Sequence, residues 1–166
     1  MKRSLVFGIT FFLCLALVGC GSDSKEGLIA DTVRLIDLAA TEVGNIKTKV
    51  KEATDKSNDT RKKLDLADAM SAAKKLKETG EVANQINKRI EKVRQKPISA
   101  EDKKANADNE RERLNTAFAN LHTKRQELRV ELAKAEGLDV PNAKDEVQKL
   151  RDKIRDAESP FESLQR

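Results

Sequence analysis

Residues 107–135 read ADNERERLNTAFANLHTKRQELRVELAKA, and apolar side chains return in this stretch every seven residues. The repeating positions are Ala107, Leu114, Leu121, Leu128 and Ala135, with Phe118 and Leu132 four places after the second and fourth of them. Seven residues are about two turns of an α-helix, so these side chains share one face. The stretch therefore predicts a long amphipathic helix that packs against other helices.

The same period occurs in two earlier segments, and a related pattern follows near the end of the chain. The first segment repeats at Ile29, Ile36, Val43 and Val50, with Ala39, Ile46 and Ala53 on the same face. The second repeats at Ala69, Leu76, Ala83 and Ile90, with Ala72, Ile86 and Val93. The last has Ala143, Val147, Leu150, Ile154 and Ala157 at spacings of four and three. We predict helices over 28–56, 61–95, 100–136 and 141–158.

Turn-forming residues separate the first three predicted helices. The polar run 57–60 offers good residues for starting a helix. Pro97 ends the second helix, because the residue before a proline is driven toward extended geometry. Ser99 then caps the third helix, with Asp102 three residues on.

The remaining breaks involve glycine and proline. Gly137 predicts a left-handed end to the third helix, and Pro141 lies in the first turn of the fourth. Pro160 should end the fourth helix and leave 159–166 as a tail. Gly80, inside the second helix, predicts either a kink or a close crossing with another helix.

These lengths and connections predict an all-α fold. Short connections place consecutive helices side by side and antiparallel. The fold class we predict is an elongated up-down-up antiparallel three-helix bundle with a shorter fourth helix and coiled-coil-like packing over 28–158. In an alternative arrangement, the first two helices merge into one rod through 57–60, where no proline intervenes.

The start of the chain has the three parts of an export signal. Lys2 and Arg3 supply positive charge, and residues 5–18 form an apolar run that ends in small residues. The run is about 14 residues long, shorter than the roughly 20 that a permanent membrane-spanning helix needs. Residues 1–19 are therefore predicted to be a cleaved signal peptide.

The run closes with Leu17-Val18-Gly19-Cys20, which resembles the lipobox of bacterial lipoprotein precursors. The resemblance implies cleavage between Gly19 and Cys20, a diacylglycerol on the Cys20 thiol, and acyl chains such as palmitate that hold the protein to a membrane. Residues 20–27 would form a lipidated tether. It also implies the bacterial cell envelope, facing the periplasm or the surface, and Gly21 favours the outer membrane.

The mature part resembles small helical lipoproteins of the Braun type in its lipid cysteine and seven-residue period. That family is joined to peptidoglycan through a C-terminal lysine, whereas this sequence ends in Leu164-Gln165-Arg166. Pro97 and Pro141 also interrupt a continuous coil. We therefore do not expect covalent attachment to the cell wall by that route.

The composition argues against several classes of function. Loss of Lys2 and Arg3 from the 33 basic residues leaves 31 against 28 acidic ones, a net charge of +3. Basic and acidic residues are interspersed along the chain, so nothing predicts a nucleic-acid surface. The basic runs 61–63, 74–75 and 103–104 suggest either solvated faces or contact with anionic lipid.

The usual residues of catalysis and metal binding are scarce. His122 is the single histidine, and we place it at the surface edge of the third helix. Cys14 leaves with the signal peptide, so no disulfide is expected. We expect nearly all of the carboxylates on outward helical faces beside lysine or arginine. The sequence thus predicts no enzyme, catalytic residue, metal, cofactor or small-molecule substrate.

The function we predict is a lipid-anchored, non-enzymatic envelope protein whose bundle is a structural or protein-interaction module. Its partners would be the membrane, through the acyl chains on Cys20, and either another protein or a second copy. Two alternatives remain: a holdase-like module for envelope clients and a self-assembling coiled-coil rod.

Overall fold

The computed structural model describes residues 25–56, 58–95 and 107–164. Within these residues it has four helices and no strand: α1 Lys25–Asp55, α2 Asp59–Arg94, α3 Ala107–Ala135 and α4 Ala143–Leu164. They pack together as a bundle, which confirms the predicted all-α class. The predicted start of the third helix at 100, with Pro97 and Ser99, lies outside the described residues.

α2 begins with a helix cap at Asn58, three residues after the end of α1 at Asp55. Asn58 adopts an extended conformation, and its side chain accepts hydrogen bonds from the backbone N–H groups of Thr60, at 2.9 Å, and Arg61, at 3.3 Å. Such a cap satisfies N–H groups that the first turn of a helix leaves free. Arg89 Nη1 lies 3.1 Å from Asp31 Oδ2, so α2 runs back along α1. The merged-rod alternative is therefore wrong.

Inter-helix ion pairs give the direction of α3 relative to α1. Lys25 Nζ lies 3.7 Å from Glu110 Oε2, and Lys47 Nζ lies 2.7 Å from Glu127 Oε2. The later of the two α1 residues, Lys47, pairs with the later of the two α3 residues, Glu127. The helices α1 and α3 therefore run parallel. The end of α1, the start of α2 and the turn at 136–142 consequently lie at the same end of the bundle, which we call the turn end. The opposite end is the Lys25 end.

The bundle is two antiparallel hairpins placed side by side. α1 packs against both α2 and α3, α2 packs against α4, and α3 and α4 contact each other only sparsely. α2 and α3 are not a packed pair within the described residues, so the prediction that consecutive helices are all neighbours is wrong for them. The reason is chain length, because the twelve residue steps from Gln95 to Ala107 can reach about 40 Å.

The predicted apolar faces form the core. Leu, Ile, Val and Ala from all four helices make one buried cluster, and each fully buried large side chain contributes roughly 1.5–3 kcal/mol. All five predicted positions of α4 are buried. Six of the predicted positions in the first three helices are only partly buried: Ile29, Ala72, Ile90, Val93, Leu114 and Phe118.

Pro160 does not end α4. The helix continues to Leu164, so the predicted boundary at 158 and the tail at 159–164 are wrong, while 165–166 lie outside the described residues. Phe161, immediately after the proline, is 1% exposed and is the largest fully buried side chain among the described residues. The Asn87 side-chain amide also donates to the Pro160 carbonyl at 3.2 Å. Burial of Phe161 outweighs the backbone hydrogen bond that proline removes.

The turn between α3 and α4 also differs from the prediction. Among the described glycines none has a positive φ, so Gly137 is not a left-handed helix end; Asn142, at φ 67°, is the residue in that region. Asparagine tolerates this conformation because its short polar side chain can bond locally. α4 begins at Ala143, two residues after Pro141, and the Asn142 carbonyl accepts from the Glu146 N–H at 3.0 Å.

Gly80 marks a close crossing of α2 with α4, one of the two possibilities raised by the sequence. A Cβ atom at this position would lie 2.6 Å from the backbone oxygen of Ala157 and 3.4 Å from Pro160 Cγ. Backbone cannot move aside as a flexible side chain can, so the crossing requires glycine. Gly44 in α1 is different, because a Cβ there would meet nothing within 4 Å.

We expect Gly80→Ala to lower the free energy of unfolding by about 1–2 kcal/mol, because overpacking outweighs the better helix propensity of alanine. Gly44→Ala is the matched control and should raise it by up to about 1 kcal/mol. Urea unfolding followed by circular dichroism measures both. Equal midpoints for the two variants would contradict the close crossing.

Candidate functional site

The predicted lipidation and cleavage residues, Cys20 and Gly19, lie outside the described residues and stay predictions. α1 begins at Lys25, five residues after the cysteine. The predicted tether at 20–27 is therefore too long, since residues 25–27 are helical. Acidic Glu26 in the first turn and the apolar face that starts at Leu28 favour a helix there.

His122 is exposed on α3, where the sequence placed it. Its Nε2 lies 3.4 Å from the side-chain nitrogen of Gln126, one turn along the helix. In the described part of the chain, no three histidine, cysteine or acidic side chains form a group suited to a metal ion.

The first predicted basic run, 61–63, lies at the turn end. Arg61 and Lys62 form ion pairs with Asp65 and Asp59 on the same helix, at 3.6 and 3.8 Å. α1 has 31 residues and therefore extends about 46 Å, so this run is far from Lys25. The run at 74–75 lies near the middle of α2, and 103–104 lies outside the described residues.

Three carboxylates are exceptions to the expectation that nearly all acids lie on outward faces. Glu42 on α1 and Asp65 on α2 are buried, and the Glu158 side chain on α4 is 17% exposed. The sequence contained one usable signal for them, since Asp65 lies seven residues before Ala72 and thus on the predicted apolar face. Glu42 and Glu158 flank apolar positions, and only the packing of neighbouring helices determines their burial.

Glu42 is 4% exposed and faces α2. Burial raises the pKa of its carboxyl group, and the negative charge of nearby Glu78 raises that pKa further. The Asn45 amide, which donates to Oε2 at 3.3 Å, and the charge of Lys75 partly oppose this rise in pKa. Ionisation of this carboxyl group is therefore less favourable in the folded state than in the unfolded chain.

Glu158 joins α4 to α3. Its Oε1 accepts from Arg125 Nε at 2.8 Å, and both side chains are largely buried. Burial raises the pKa of Glu158, and Glu162 adds to that rise, while Arg125 and Arg129 oppose it. A second, half-exposed pair, Arg151 with Glu136 at 2.9 Å, spans the same two helices. Long charged side chains therefore bridge the helices that pack least closely.

Asp65 is fully buried, and neither carboxylate oxygen has a hydrogen-bond partner among the described residues. Arg61 Nε lies 3.6 Å from Oδ1, too far for a hydrogen bond, and its side chain is 56% exposed. A buried charge with such weak compensation costs the folded state several kcal/mol. The buried threonines differ, because Thr32 and Thr79 donate to carbonyls one turn earlier.

Two open grooves lie between α1 and α3 and share Thr41. One, of about 320 Å³, is lined by Val33, Arg34, Leu38 and Arg113, among others; the other, of about 270 Å³, lies around Gly44 and Lys124. Both are open to solvent, and neither contains one of the three buried carboxylates.

Comparison with known proteins identified no relative. No protein-family model matches the chain, no curated protein matches it, and no solved structure matches its fold.

We expect the stability of Glu42→Gln to depend on pH in a defined direction. The raised pKa of Glu42 means that protonation favours the folded state, so the wild-type protein gains stability from this group as pH falls from neutral toward its ordinary value of 4.5. The glutamine variant mimics the protonated acid. It should therefore exceed wild type in stability at pH 7, and the difference should shrink by pH 5.

Glu52→Gln is the control for this experiment. Lys49 donates to Glu52 and lowers its pKa, so the ionised form stabilises the fold and the variant should lose stability at pH 7. Urea unfolding of both variants at pH 7 and pH 5 tests the opposite signs. A Glu42→Gln difference that is constant with pH would be inconsistent with the buried site.

Arg125→Leu should lower the free energy of unfolding at pH 7 by about 1–3 kcal/mol, because it leaves Glu158 buried without its partner. Arg155→Leu is the control, since that arginine is 74% exposed and pairs with Asp152 at 3.0 Å; its loss should cost less than about 0.5 kcal/mol. Thermal unfolding compares the two. Similar values would mean that the Arg125 pair does not tie α3 to α4.

Proposed function

We propose that this chain is a non-enzymatic lipoprotein of the bacterial cell envelope, whose helical bundle is a structural or protein-interaction module. The observation that carries the proposal is Leu17-Val18-Gly19-Cys20, which follows a basic start and an apolar run of signal-peptide length. Acyl chains on Cys20 would bind a membrane firmly, because two or more chains give stable attachment where a single chain is marginal.

The position of α1 is compatible with such an anchor. Five residue steps separate Cys20 from Lys25, so the two residues can be at most about 18 Å apart. The Lys25 end would then lie close to the membrane surface. The turn end would point away from it, about 46 Å further along α1. An elongated bundle with coiled-coil-like packing of this kind would present its sides and turn end to a partner.

The surface favours an interaction module over a holdase. Within the described residues, the exposed large apolar side chains are Leu64, at 50%, and Val130, at 55%, on different helices. Client-holding proteins need larger apolar patches. Charged side chains cover much of the remaining surface, which supports polar contact with a partner.

No helix in the described part of the chain has the length and apolar character to cross a membrane. In this proposal, attachment therefore depends on Cys20. Outer-membrane location, suggested by Gly21, remains part of the proposal.

The test is the state of Cys20 in cells. We expect mass spectrometry of the mature protein to find an N-terminal Cys20 carrying acyl groups. Globomycin, which inhibits lipoprotein signal peptidase, should make the uncut precursor accumulate. Cys20→Ser should accumulate an unacylated precursor without the drug. The matched control is Cys14→Ser, which alters a cysteine inside the leader and should be processed normally.

Two results would overturn the anchor. One is a mature protein with a free Cys20 thiol. The other is normal processing of Cys20→Ser, which would indicate an ordinary secretory signal.

A further inference from the structure

The feature that neither the fold nor the proposed function explains is the buried carboxylate of Asp65. It lies in the second turn of α2, on the face that forms the core, and is 0% exposed. Unpaired buried atoms also occur in Arg125, Glu131 and Arg151, but another atom of each of those side chains is bonded. Among the described side chains with unpaired buried atoms, Asp65 alone has no hydrogen bond at all.

The charges around Asp65 do not compensate for its burial. Arg61, on the same helix, reaches 3.6 Å with a side chain that is mostly in solvent. Lys49 of α1 is close enough to be influenced by the Asp65 charge, yet it donates to Glu52 at 2.8 Å. The neighbouring acid Asp68 adds negative charge on the same side. Hydration of Asp65 would therefore be favourable, and water can reach it only when the helices separate.

The outermost layer of the turn end is lightly packed. Its buried apolar side chains are Ala53, Ala135, Val140 and Ala143, and three of these four are alanines, which bury little apolar area. About one turn further in, larger side chains are buried: Val50, Leu66, Leu132 and Val147. Local opening has its lowest free energy where apolar contacts are few.

We propose that Asp65 makes the turn end of the bundle a conformational gate: the last turn of α1 and the start of α2 separate from the core while the rest stays folded. In the open state Asp65 is hydrated, and Leu66 and Ala53 are exposed at the end furthest from Lys25. The gate does not depend on the lipid anchor, because it follows from the packing of α1 and α2 alone.

Hydrogen–deuterium exchange of the purified full chain tests the gate. In wild type, amides of residues 50–55 and 62–69 should exchange faster than those of 32–39 and 83–90. Asp65→Leu should slow exchange in the first two segments by about tenfold or more, with a smaller change in the others. Asp65→Asn, which removes the charge but keeps the shape, should slow it to a lesser extent.

Asp68→Leu is the matched control, since it removes an exposed acid three residues further along the same helix. Asp68 is exposed and its charge is screened by solvent, so this variant should slow exchange at the turn end much less than Asp65→Leu does. Equal slowing throughout the bundle in Asp65→Leu would overturn the gate, because Asp65 would then affect only global stability. Unchanged or faster exchange in the leucine and asparagine variants would overturn it as well. Should the leucine variant not fold, the asparagine variant decides.

Discussion

The bundle depends on the apolar face of α1. Leu35, Ile36, Val43 and Ile46 are completely buried on it, because α2 packs on one side and α3 on the other. α4 reaches the core mainly through α2, by way of the crossing at Gly80. Removal of α1 would leave α2 and α3 without their main packing surface. The remaining interactions, including the ion pairs between helices, refine an arrangement that this one face establishes.

The periodic residues made the helices predictable and left their arrangement undetermined. A spacing of seven identifies which side of α2 or α3 is buried, and the structure agrees at Leu76, Leu121 and Leu128. The same spacing says nothing about which helices are neighbours. The predicted three-helix bundle placed α3 beside both α1 and α2, whereas the structure packs it mainly on α1. The helix end predicted at Pro160 and the left-handed residue predicted at Gly137 were wrong for another reason. Burial of Phe161 overrides the helix-breaking tendency of proline, and Asn142 supplies the left-handed residue instead.

The buried acids also show how much of the site the sequence can predict. Asp65 could have been found from its place on the apolar face, whereas Glu42 and Glu158 are buried by side chains distant in sequence. Their raised pKa values and the unpaired oxygens of Asp65 show that the bundle retains charges that an apolar core would exclude. A fold optimised only for stability would replace them. Cys20 differs from these acids, because the role proposed for it comes from a sequence motif and does not depend on packing.

The parallel pairing of α1 with α3 has a consequence for the order of folding. Each hairpin closes across a short turn, whereas the bond between Lys47 and Glu127 joins positions 80 residues apart. Closing so long a loop has a higher entropic cost, and chains rich in distant contacts fold more slowly. Assembly should therefore begin with the α1–α2 hairpin, since α3 and α4 contact each other only sparsely. Docking of α3 and α4 onto that hairpin would be the rate-limiting step, and single-helix formation would be fast by comparison.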